Sequence, residues 1–392
     1  MVKMNSLHLQ LSKTFRAFFS SQKISGGLLL LVTIISLVLS NSSHSAFYIS
    51  VWSKELQISG LPLFNLLHFI NEGLMTFFFF LVGIEMKREL ISGELKGFNK
   101  AIIPVSAAVG GMLIPALIYF FFNKGTSTSH GWGIPMATDI AFAIGIISIL
   151  GDKISNTAKV FITALAVVDD LGAVLVIALF YSANIKWLFL LAGTTILILI
   201  VIINQKKKIS AYIYVTAGIL LWYCILMSGI NSTIAGVLLA AIIPYDGKEH
   251  SLLEKFESVL HKPVNFIIIP AFAMANTAIA INGNLIGELQ TPEGLGIFFG
   301  LILGKPIGIV LAVLLTLFLF KRKMPNGINF QSLIGLGFLG GIGFTMSIFI
   351  TMVAFDDPQN ITGAKISIIT ASLVAGCLGY FILHFQKKVI HD

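Results

Sequence analysis

The 392-residue chain is 56% hydrophobic and only 11% charged, with a mean hydropathy of +0.92; soluble domains carry about 25% charged residues, so a soluble protein is excluded and a polytopic membrane protein is implied. Its net charge of +8 would suit nucleic acid, but the placement of the basic residues gives a topological reason instead. Cys224 and Cys377 lie in apolar stretches without CxxC spacing, so neither a disulfide framework nor a zinc site is indicated.

A spanning helix needs about 20 apolar residues. By that measure the fold class is an all-α polytopic membrane protein, one transmembrane domain over 1–392 with about twelve transmembrane helices. They are centred in 24–41, 62–84, 101–122, 134–150, 158–181, 187–204, 211–229, 231–244, 261–281, 294–320, 331–354 and 365–386. The runs at 134–150 and 231–244 are short. Ahead of the first span, residues 1–23 form a cytoplasmic segment in which Leu7, Phe15 and Phe18 alternate with basic residues. It reads either as an amphipathic surface segment or as a tail, and its length argues against a cleaved signal peptide. Between the first two spans, "FYISVWSKELQI" (47–58) has the partial alternation of a short strand.

Of the 26 lysines and arginines, 21 precede the first span, follow the last or fall in every second connection between spans. The opposite connections hold only Lys54, Lys124, Lys186 and Lys365, and Lys305 lies inside a span. The positive-inside rule therefore puts both termini in the cytoplasm and favours an even number of spans. The basic balance reports topology, with no nucleic-acid partner.

Asp139, Asp169, Asp170, Glu72 and Lys305 lie inside spans, and Glu85 stands at a cytoplasmic edge. A carboxylate at mid-bilayer costs roughly 2.5–3.5 kcal/mol on insertion scales, and such groups face a bundle interior or a wet cavity, where they pair or mark an ion path. Structural ion pairing is the plain alternative, yet the acids outnumber the lysine, as a cation site requires. Asp169 and Asp170 in "TALAVVDDLGAVLVIALF" (163–180) are about 100° apart around a helix, so the two carboxylates face different neighbours. Carboxylate oxygens suit hard cations, and two so close titrate as a coupled pair. A site that holds a proton or a small cation, never both together, is a proton–cation exchanger.

Two spans carry signs of a break. "GIPMATDIAFAIG" (133–145) places Pro135 and Thr138 just before Asp139, and "QSLIGLGFLGGIGFTMSIFI" (331–350) holds Gly335, Gly337, Gly340, Gly341 and Gly343. Glycine is poor inside a helix, and irregular backbone at that depth survives only beside protein or water. Close packing through Gly337 and Gly341 is the competing explanation. Broken spans would expose half-helix ends, which Asp139 and Lys305 are suited to offset.

The pieces "GLMTFFFFLVGIEMKREL" (73–90), "IPMATDIAFAIG" (134–145), "ALAVVDDLGA" (164–173), "LILGKPIGI" (301–309) and "GGIGFTMSIFI" (340–350) together resemble the NhaA family of sodium–proton antiporters over nearly the whole chain. The resemblance implies inverted repeats over about 99–181 and 294–386, with two discontinuous helices crossing at the midplane. It implies Asp170 as main cation- and proton-binding carboxylate, and Asp169 as either a second ligand or the salt-bridge partner of Lys305. Thr138 becomes a neutral ligand, while Asp139 and Lys305 compensate the crossed half-helices. It further implies electrogenic export of Na+ or Li+ against entering H+, with no cofactor, and a pH-sensing cluster of Glu85, Arg88, Glu89, Glu257 and His261. Ser258 stands where the family can carry a histidine, which leaves the pH set-point open. A homodimer through a 46–60 hairpin and the bacterial inner membrane complete the expectation.

Three rivals compete. A proton-coupled symporter of a small anion would use Lys305 to hold its substrate. An intramembrane aspartyl protease would need an acid where "GLGF" (335–338) has Phe338. A passive channel would need a ring of acids, and one asymmetric pair is not a ring.

Overall fold

Lipid offers no hydrogen-bond partners, so each apolar run satisfies its own backbone by becoming a helix. The computed structural model describes residues 24–56, 64–93, 95–182, 185–206, 210–245, 247, 251–281 and 285–386; the expected surface segment 1–23 lies outside them. Helix α1 (Ile24–Ser40) bends by 115° into the short α2 (Ser45–Ser53). There the strand expectation for 47–58 is corrected over 47–53, which belong to α2, while Glu55–Leu56 pair antiparallel with Phe64–Asn65 and residues 57–58 lie outside the described residues. The reason is the i, i+4 spacing of Tyr48 and Trp52, whose rings meet edge-to-face at 5.8 Å on one helical face. Tyr48 also donates to Ser36 Oγ at 2.9 Å, holding α2 against α1.

Next come α3 (Leu66–Ile91) and α4 (Phe98–Asn123). A 3-10 segment, Ser127–Met136, precedes α5 (Ile140–Leu150). Helices α6 (Asn156–Phe180), α7 (Trp187–Lys206), α8 (Ala211–Ser228), α9 (Ile234–Ile242) and α10 (Leu252–Asn276) follow. The chain closes with α11 (Pro292–Leu319), α12 (Phe330–Gly340), α13 (Phe344–Ala354) and α14 (Pro358–His384). Among the described residues nine helices are long and apolar enough to span, or eleven if each bent pair counts as one.

The expected span at 231–244 is the one that falls short of the twelve. Its helix, α9, has nine residues, and α3 holds it at both ends. At its start the Glu72 carboxylate accepts from Ser232 N at 2.9 Å and from the Ser232 hydroxyl at 2.5 Å. At its end Lys87 Nζ donates to the carbonyls of Ala241 at 2.6 Å and Ile243 at 2.5 Å. An acid at the N-terminus and a cation at the C-terminus both match the helix dipole. Gly236 makes the close approach feasible, since a Cβ there would lie 2.4 Å from the Thr76 carbonyl oxygen.

Two stretches share one plan of long helix, broken helix, long helix: α4 to α6, and α11 to α14. Helices α4 and α11 meet where Gly110 and Gly308 oppose one another, a Cβ on Gly110 standing only 2.3 Å from the Gly308 carbonyl oxygen. The spanning windows of α6 and α11 are 61% and 56% buried, whereas that of α7 is just 11% buried. Helix α7 is thus a lipid-facing helix and α6 an internal one.

Lys365 is also corrected. Read as part of an outer connection, it lies on the third turn of α14 and is only 7% exposed. The missed signal was Asp357–Pro358: the Asp357 side chain caps the helix by accepting from Gln359 N, and proline suits the first turn.

Candidate cation and proton site

Helix α6 starts with Ser155 as N-cap, accepting from Ala158 N, and carries Asp169 and Asp170 past mid-length to 1% and 2% exposure. Asp169 is held by two partners. Lys305 Nζ lies 2.6 Å from Asp169 Oδ2, and Thr138 Oγ1 donates to the same oxygen at 2.7 Å. Lys305 itself, with 0% exposure, follows a π-helical turn, Gly300–Gly304. Such turns re-aim side chains and recur at functional sites. Lys305 Nζ also donates to the Met136 carbonyl, the last residue of the 3-10 segment.

Asp139 lies where the two interrupted helices meet. Residues 137–139 are non-helical between the 3-10 segment and α5, and α12 and α13 meet at 43° across a three-residue break. The breaks are joined by backbone, Asp139 N donating to the Ile342 carbonyl at 2.6 Å. The Asp139 carboxylate accepts from Phe142 N at 3.1 Å, from Thr345 N at 3.0 Å and from Thr345 Oγ1 at 2.5 Å. It therefore serves the N-terminal ends of α5 and α13 together, where orphan N–H groups and the positive dipole ends gather. The carbonyl ends are also met, Lys305 at Met136 and the Thr138 hydroxyl 2.8 Å from the Gly340 carbonyl.

Asp170 is different. Among the described residues no hydrogen bond reaches its carboxylate, and its Oδ1 is buried without a partner, as is Asp169 Oδ1. Charges within electrostatic reach of Asp170 are Asp169, Asp139, Lys305 and Glu85, three of the four acidic. Buried carboxylate oxygens without donors are open to a hard cation or a proton.

The five residues of the expected pH-sensing cluster are also brought together. Arg88 bridges Glu257 at 2.5 Å and Glu89 at 3.4 Å, tying α3 to α10. Glu85 lies within the fields of Glu257, Arg88 and Glu89. His261 is within the field of Arg88 and stands 3.4 Å from the Asn265 amide. Ser258 bonds its own helix, donating to the Lys255 carbonyl at 2.9 Å.

Three contributors escaped the sequence reading. Thr345 binds Asp139, Ser347 Oγ donates to the Ile134 carbonyl at 2.7 Å, and Ser372 Oγ accepts from Gly343 N and Phe344 N at 3.2 and 3.1 Å. Ser and Thr are common in membrane helices because each can bond its own preceding turn, so composition does not single these out.

Residues 16–383 match the family described as Na+/H+ antiporter 1. The Na(+)/H(+) antiporter NhaA 1 of Flavobacterium johnsoniae is 48% identical over 378 residues, covering 96% of this chain and 98% of that protein. The NhaA of Cytophaga hutchinsonii is 44% identical over 381 residues, 97% of each. NhaA 1 of Clostridium beijerinckii is 43% identical over 396 residues, 98% of each. With this coverage, and with an acidic dyad beside two joined helix breaks, the chain belongs to the NhaA family of sodium–proton antiporters.

Proposed function

We propose that this multi-pass membrane protein carries out its family's sodium–proton exchange through Asp170, exporting Na+ or Li+ electrogenically while a larger number of protons enters. The observation that carries the reading is the contrast on α6: Asp169 is paired with Lys305 at 2.6 Å, while Asp170, 2% exposed, has no hydrogen-bond donor among the described residues. A carboxylate so placed is neutralised by a proton or by a cation, and occupancy by one excludes the other.

In this reading Asp170 is the principal ligand and proton carrier, and Thr138 supplies a neutral oxygen. Asp169 is either released from Lys305 when the cation enters or coordinates as a second ligand. Asp139 and Lys305 offset the ends of the crossed half-helices, and the stretches 99–181 and 294–386 act as inverted repeats. Glu85, Arg88, Glu89, Glu257 and His261 sense cytoplasmic pH, serving sodium and pH homeostasis. The protein sits in the bacterial inner membrane with both termini cytoplasmic, as a homodimer through the 46–60 connection.

The test uses everted vesicles with an imposed proton gradient. Added sodium should collapse the gradient, and Asp170→Asn should abolish that response; an intact response in the variant sinks the assignment. Proton and sodium competing for one site also predicts that raising sodium moves the acidic limb of the rate profile to lower pH. Dissipation by an organic anion without sodium would favour symport instead.

A further inference from the structure

Lys365 is a second lysine sealed among the helices. It lies on α14 seven residues before Ser372, whose hydroxyl touches the break between α12 and α13. Seven residues make nearly two full turns, so Lys365 shares that face about 10 Å nearer the start of α14, the end opposite the cytoplasmic C-terminus. There it meets α10 and α3: Lys365 Nζ donates to Asn276 Oδ1 at 3.4 Å, and Asn276 Nδ2 donates onward to Asn71 Oδ1 at 2.8 Å. Both amides are themselves buried. Phe349 of α13 packs on Phe79 of α3 at 5.0 Å and on Phe272 of α10 at 6.3 Å between ring centroids, so α3 and α10 also meet through an apolar contact with α13, the helix before α14.

Among the described residues no carboxylate pairs with Lys365, in contrast to Lys305 on Asp169. An ammonium has three donors, and one long bond to a neutral amide replaces little of its hydration. Replacing a poorly compensated buried charge by an apolar side chain of similar volume is commonly stabilising. Exchange through one site also requires the packing outside it to part in each cycle.

We propose that Lys365 is a positioning residue for the transport cycle: an under-paired amine at the seam of α14, α10 and α3 whose hydration on opening favours the outward-open state. The inference rests on the exchange reading above. It goes beyond it by naming a group that sets the balance between the two states without touching the ion.

Lys365→Met keeps the length of the side chain and removes the amine. The thermal midpoint of the purified protein should rise. The sodium KM measured from the cytoplasmic face should fall several-fold while that from the outer face rises several-fold, because the state with the closed outer seam becomes more populated. Lys365→Gln, which retains a partner for Asn276, should move all three quantities in the same directions and serves if the methionine variant does not fold. A lowered or unchanged midpoint in the folded variants, or KM values that move together on the two faces, overturns the proposal. If wild-type vesicles show no sodium-dependent proton movement, the exchange reading fails by itself, and the midpoints still report the cost of the amine.

Discussion

Asp139 and Asp170 are buried to the same 2% exposure, yet their surroundings are opposite. Asp139 accepts three hydrogen bonds from two helix starts, whereas Asp170 accepts none among the described residues. A carboxylate whose oxygens are saturated by fixed donors is a structural anion, since binding a cation there would mean giving up those donors. One buried without donors is held at a cost that only a visiting charge relieves. Burial alone therefore does not distinguish an ion site from a helix cap; the donor inventory does.

The largest effect that would sharpen this contrast is at Asp170 itself. Asp170→Asn should remove sodium-driven proton release while leaving the thermal midpoint unchanged or higher, because no donor is stranded. At Asp139 the order reverses. Asp139→Ala strands Phe142 N, Thr345 N and the Thr345 hydroxyl, and should destabilise by about 3 kcal/mol, read as a lowered midpoint in detergent. If instead Asp139→Ala leaves stability intact and abolishes exchange, the two aspartates are not the different devices argued here.

Smaller effects test the neighbours. Thr138→Ala removes the hydroxyl from Asp169 and from the Gly340 carbonyl; at about 1.5 kcal/mol for a bond to a charged group, the sodium KM should rise roughly ten-fold. An unchanged KM would take Thr138 out of the site. Lys87→Met frees the end of α9 and should cost about 1 kcal/mol of stability, with transport preserved in the protein that remains folded. The smallest expected change is a displaced pH profile in His261→Ala, and a profile that does not move removes His261 from the sensing cluster.

The two lysines make a parallel comparison. Lys305 was visible as a charge in the middle of an apolar run, and it lies in the site. Lys365 stood near the edge of such a run and read as a loop residue, until Pro358 and the Asp357 cap extended α14 outward by two turns. The strand expectation failed over 47–53 alone, for a related reason: the alternation there is weak, and the i, i+4 aromatic pair settles that segment as helix, while Glu55–Leu56 does pair antiparallel with Phe64–Asn65.

By itself the sequence determined the membrane class, nearly all of the spans, the two breaks and the intramembrane charges. These follow from composition and spacing within some twenty residues, the range over which a bilayer acts on a chain. Only the tertiary structure decided which charge meets which. Asp169 finds Lys305 across 136 residues of chain and Asp139 finds Thr345 across 206, while Asp170 and Lys365 are left under-partnered. Hydrogen bonding acts over about 3 Å, and no local pattern encodes which distant helix end is folded to within that reach.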